Sequence, residues 1–135
     1  MNDSKNSEKS NTFHITNKTK RKLPGLPFCH MKETVLGKSY NLSLVFIGET
    51  RSRKLNVEYR KKDKSTNILS FPLSDTEGEI FIDLTKSTKE APLFDRSFDN
   101  FIGFLFIHGL FHLKGYDHGS TMERNEEKIR KKFNI

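Results

Sequence analysis

One cysteine in 135 residues excludes a disulfide framework within the chain. That scarcity fits a reducing compartment, and a cytoplasmic location is expected. It also excludes a zinc site closed by thiolates, because Cys29 lies far upstream of the histidine-rich stretch near the C-terminus. Long apolar runs are missing too. The longest, Phe101 to Ile107, falls well short of a bilayer span, so no membrane partner is expected. The first ten residues carry no hydrophobic signal region. Residues 1–11 read as a flexible polar tail ahead of a single domain over residues 12–135. Acids are outnumbered, 17 Asp and Glu against 24 Lys and Arg, for a formal net charge of +7. A surplus of this sign favours polyanionic partners, of which nucleic acid is the commonest inside cells.

Hydropathy patterning predicts an α+β domain with a small mixed β-sheet packed with helices. Thr12–Thr16, Leu42–Ile47, Asn67–Phe71 and Gly78–Leu84 read as strands, and Pro72 puts the third at a sheet edge. A helix is expected over Phe28–Leu36, ended by Gly37, and another from an N-cap at Thr50 to about Lys62 with Leu55 and Tyr59 on one face. The run Lys18 to Lys22 reads as a solvated linker, and Thr85 to Asp95 as a linker or frayed turn. Phe98–Leu113 is apolar enough to be a long buried helix, and Thr121 is a candidate cap for a final charged helix carrying Met122, Ile129 and Phe133.

The stretch His108-Gly-Leu-Phe-His-Leu-Lys-Gly-Tyr-Asp-His118 carries most of the chemistry. Four residues apart on a helix, His108 and His112 project from one face, separated by roughly 6 Å of rise. Gly115 supplies a break at which the chain can turn back and bring His118 over the other two. A histidine pair at this spacing is often only a solvated face or a satisfied core position. Here the helix is expected to be buried, buried imidazoles need partners, and one metal ion would satisfy all three. Three imidazoles leave a fourth position open, as in hydrolytic centres, although Asp117 could close it.

The same stretch resembles the signature of the YbeY endoribonucleases. A second block, Leu55-Asn-Val-Glu-Tyr-Arg-Lys-Lys-Asp-Lys-Ser-Thr-Asn-Ile-Leu-Ser-Phe-Pro72, resembles the family's aromatic–arginine pair and the strand after it, here Tyr59, Arg60 and Thr66 to Pro72. Gly78-Glu-Ile is a weaker match, with Glu79 where the family usually has aspartate, and Met122 and Glu126 resemble its C-terminal helix. The resemblance implies an α+β fold, one zinc ion on His108, His112 and His118, and single-stranded RNA as substrate. It further implies Arg60 as the functional arginine and a role at the ribosome, in maturation of the small-subunit rRNA 3′ end and in quality control.

On that reading Arg60 offers a planar fork for charge developing at phosphorus. Lys61, Lys62 and Lys64 add sequence-independent attraction for phosphates. Without the resemblance, Arg60 reads as one more salt-bridging residue on a basic helix. Asp117 is a candidate partner for a ligand imidazole, and Tyr116 a residue that packs against the turn. Two other readings stand. The offsets of His108, His112, Gly115 and His118 equal those of His-Glu-x-x-His-x-x-Gly-x-x-His metalloproteases, but Gly109 occupies the place of their general base. Alternatively, zinc is structural and the domain only binds RNA or the ribosome.

Overall fold

The computed structural model describes residues 12–135, so the polar tail expected over residues 1–11 lies outside the described residues. Strands and helices follow in the order β1 (Phe13–Asn17), α1 (Phe28–Leu36), β2 (Asn41–Ile47), α2 (Glu49–Arg60), β3 (Ile68–Ser74), β4 (Glu77–Asp83), α3 (Leu84–Glu90), α4 (Phe98–Leu113) and α5 (Ser120–Lys132), with a 3-10 turn at Ala91–Phe94. The four strands form one mixed sheet in the order β1-β2-β4-β3. The first three run parallel and β3 runs antiparallel to β4. This is the α+β domain expected from patterning. β3 is an edge strand, which explains how it runs through Pro72: a missing N–H costs nothing on the unpaired side. The pairing register shifts between Pro72 and Ser74.

Period-two alternation assigns the sheet's two faces. Leu42, Leu44 and Phe46 of β2 and Ile80 and Ile82 of β4 are fully buried and belong to the core shared with α1 and α4. Helix α4 is apolar on nearly every side, with ten buried residues, and serves as the central rod of that core. Phe106 meets Phe28 edge to face with ring centroids 5.3 Å apart. Its truncation, Phe106→Ala, is expected to cost about 3–5 kcal/mol through lost burial and a residual cavity, read from the shift of a denaturant midpoint.

Three local expectations are corrected. Thr50 is not a cap, because Gly48 takes the N-cap position and Glu49 opens α2, an acid placed favourably at the dipole's positive end. Thr121 lies inside α5, whose N-cap is Gly119. The segment expected as a linker over Thr85–Asp95 begins with helix α3. The Asp83 carboxylate accepts from the Lys86 N–H at 2.9 Å, and Leu84, Ser87 and Ala91 form a buried stripe one turn apart. A stripe with serine at its centre carries little hydropathy signal.

Candidate metal centre

Between Phe101 and Leu113, only Phe104, His108 and His112 escape full burial, one stripe at four-residue spacing. The helix ends in a Schellman motif. Gly115 N–H donates to His112 O at 3.0 Å and Tyr116 N–H to Phe111 O at 3.1 Å, with Gly115 at φ 104. The hydrophobic contact that accompanies this motif is also present, the Tyr116 ring standing edge-on to Phe111 at 5.5 Å between centroids. Tyr116 therefore packs against the turn, as one reading of the sequence had it. The Lys114 ammonium donates to Val35 O at 2.9 Å and ties the turn to the end of α1.

Past that turn the chain returns over α4. Ring centroids lie 4.5 Å apart for His108 and His112, 4.5 Å for His112 and His118, and 5.2 Å for His108 and His118. One nitrogen from each falls within 4.8 Å of the others. Two of the three tautomers follow from the partners. His108 Nδ1 lies 2.6 Å from Glu126 Oε2, and His112 Nδ1 lies 3.2 Å from the Tyr116 carbonyl. Both partners accept, so Nδ1 carries the proton and Nε2 presents its lone pair. Burial, with His108 and His118 close by, holds His112 below the ordinary imidazole value of 6.5 and favours the neutral ring a metal requires. The Nε2 atoms of His108 and His112 then face each other at 3.1 Å with no proton between them. A cation relieves that opposition. Ligating nitrogens on one tetrahedral zinc ion stand roughly 3.3 Å apart, close to the separation of this pair, and with His118 the three imidazoles could hold a metal ion.

Glu126 had no assigned role in the sequence. It is buried on α5, one turn after Met122 and ahead of Ile129, so a carboxylate interrupts that helix's apolar stripe. Such an interruption was the available signal. Asp117, the expected orienting residue, is exposed and makes no hydrogen bond to the three imidazoles. Loss of the carboxylate frees the His108 ring to rotate and to switch tautomer. Glu126→Gln is accordingly expected to weaken zinc binding about 10- to 100-fold, measured against a chromophoric chelator. Unchanged affinity would remove Glu126 from the site.

The imidazoles border a cleft of about 620 Å³. Its other walls are Thr66, Asn67 and the edge strand β3 as far as Pro72, the turn from Gly115 to His118, and Arg60 at the end of α2. Gly109 keeps β3 close to α4. A Cβ there would lie 2.8 Å from Ser70 Oγ and 2.9 Å from Ile68 Cδ1, so the position beside the first histidine has no room for a glutamate. The buried side of α2 is polar rather than the Leu55–Tyr59 face expected. Ser52 and Asn56 are buried, whereas Tyr59 is exposed. Ser52 Oγ donates to Thr66 O at 2.7 Å and accepts from Thr66 N–H at 3.0 Å, while Asn56 Nδ2 donates to Lys64 O at 2.8 Å. These bonds fasten the connection from α2 to β3, next to Arg60, which lines the same cleft as the imidazoles. No carboxylate among the described residues pairs with Arg60. Lys61, which caps α2 in a left-handed conformation, Lys62 and Lys64 are exposed on the adjoining turn, outside the cleft lining.

A profile of the family described as Endoribonuclease YbeY matches residues 3–134. The chain belongs to the YbeY endoribonuclease family. An Endoribonuclease YbeY of Alkaliphilus metalliredigens is 38% identical over 105 residues, covering 70% of this chain and 68% of the relative. One from Nautilia profundicola is 39% identical over 102 residues, covering 70% and 73%. A Thermotoga maritima protein solved in solution shares the fold at TM-score 0.63 and 23% identity, over 90% of this chain and 91% of that one. YbeY membership makes RNA the partner and phosphodiester hydrolysis the class of reaction. No helix among the described residues is long and apolar enough to cross a membrane.

Proposed function

We propose that this YbeY-family chain is a cytoplasmic, zinc-dependent endoribonuclease of single-stranded RNA. Its role is in ribosome quality control and in maturation of the small-subunit rRNA 3′ end. The observation that supports the reading is that Arg60 and three imidazoles, with one nitrogen of each within 4.8 Å of the others, line one cleft. His108, His112 and His118 would hold one zinc ion, preferred for an all-imidazole, redox-inert site. Zinc supplies Lewis acidity toward a phosphate oxygen and acidity for an attacking hydroxyl or water. Arg60 binds the scissile phosphate through two parallel N–H donors and stabilises charge developing on its oxygens. Lys61, Lys62 and Lys64 attract the flanking phosphates without reading sequence. Glu126 and the Tyr116 carbonyl hold two imidazoles in the ligating tautomer.

Against a peptidase stands Gly109, with no carboxylate at the place of the general base and no space for one. Against a purely structural zinc stands the cleft, which gives a substrate access that a closed site lacks. The test is incubation of the purified protein with end-labelled single-stranded and duplex RNA, with and without chelator. Cleavage confined to the single strand and stopped by the chelator supports the proposal. Cleavage unaffected by the chelator removes it.

A further inference from the structure

An aromatic pair, one ring exposed and the other half-buried, adjoins the cleft. Tyr59 is 57% exposed, and its ring lies 5.1 Å between centroids from Phe71, which stands 5.9 Å from Phe81 on the neighbouring strand. Strand alternation explains the direction. Ser70 faces α4 and bonds to Gly109 O, so Phe71 turns to the opposite face and meets α2. Phe71 also lines the cleft, making the aromatic surface continuous with the site that holds Arg60.

The charge around this surface divides sharply. Glu58, next to Tyr59 in the chain, and Glu79, paired with Phe71 across the strands, push the Tyr59 phenol above its ordinary value. Two acids at the rings repel phosphate. From the next residue onward stand Arg60, Lys61, Lys62 and Lys64, which attract it, interrupted only by Asp63, whose carboxylate is paired with Arg53 at 2.7 Å. A ligand that lays anionic phosphates along one row and neutral aromatic rings along the other satisfies both rows. Single-stranded RNA has that form, whereas a duplex keeps its ring faces stacked inside. A phenol ring over half exposed beside a cleft contributes little to the core, and stacking is the interaction it is free to make.

We infer that Tyr59 and Phe71 form a base-stacking platform for an unpaired nucleobase next to the scissile phosphate. This rests on the RNA reading above and adds a physical source for preference of single strands. Phe71 fixes the tilt of the Tyr59 ring, and Tyr59 presents the open face. The carboxylates of Glu58 and Glu79 suit a base whose edge carries amino hydrogens, since they can only accept.

The experiment titrates the full-length, zinc-loaded protein into a 2′-O-methylated single-stranded RNA octamer. A 2-aminopurine is walked through the octamer, and the oligonucleotide is checked to be intact afterwards. One position is expected to lose fluorescence on binding. Tyr59→Ala is expected to remove that signal and to raise Kd roughly 5- to 150-fold, the range for loss of one stacked base. Tyr59→Phe, which keeps the ring, restores binding. An abasic site at the reporting position makes wild type and Tyr59→Ala equivalent. Equal affinity of wild type and Tyr59→Ala for the octamer overturns the platform and leaves the face as a protein-docking surface, while RNA cleavage by the wild type keeps the nuclease reading intact. Absence of both binding and cleavage by the wild type overturns the two together.

Discussion

His112→Ala is expected to lose zinc and RNA cleavage together, each by more than about a hundredfold, while the domain stays folded. His112 is the middle ring of the set, within 4.5 Å of each neighbour between centroids. Its removal leaves two imidazoles, and loss of a direct ligand exceeds the 10- to 100-fold cost typical of an outer partner. The core survives because the residues that pack it, among them Phe101, Phe106 and Leu110, lie on the other sides of α4. Metal content by elemental analysis, cleavage of labelled RNA and a thermal melt form the set of readouts. A variant that retains zinc at one ion per chain would contradict the ligand assignment. One that loses zinc and still cleaves would separate the metal from the reaction.

Arg60→Ala is expected to lower kcat about 10²- to 10³-fold with zinc content and melting temperature unchanged. Arg60 makes no ion pair among the described residues and sits on the cleft wall, so its removal leaves nothing buried without a partner. Arg60→Lys restores the charge but not the paired donors of the fork, and should recover only part of the loss. That graded order distinguishes a phosphate-binding role from simple electrostatic attraction, which lysine would replace in full. Steady-state cleavage at two ionic strengths provides the check. An effect on KM alone, fading at high salt, would place Arg60 with the lysines instead.

Much of this site is legible in the chain because its cues are local. The apolar run set α4 at Phe98–Leu113 to the residue, four-residue spacing put two imidazoles on one stripe, and Gly115 marked the turn that returns the third. Pro72 likewise announced an edge strand. What escaped notice depends on contacts between distant segments. Glu126 reaches His108 across eighteen residues, and only the fold shows that it, rather than the adjacent Asp117, occupies that position. Ser52 and Asn56 look like ordinary surface residues of a basic helix, yet they are buried because the backbone of residues 64 to 66 folds onto them. Helix α3 was hidden for a related reason, since its buried stripe contains a serine whose hydroxyl is satisfied by the Asp83 carbonyl at 2.7 Å.

One metal ion on His108, His112 and His118 is expected to turn on RNA cleavage in a domain that folds without it. The most direct measurement titrates zinc into the stripped protein while recording cleavage of a single-stranded RNA and the melting temperature at each step. Cleavage rising in proportion to occupancy and saturating at one ion per chain, from a protein that already melts cooperatively without metal, is the predicted result. A stripped protein with no cooperative melt, or a fully loaded one that leaves RNA uncut, would contradict the account and favour a structural zinc in an RNA-binding module.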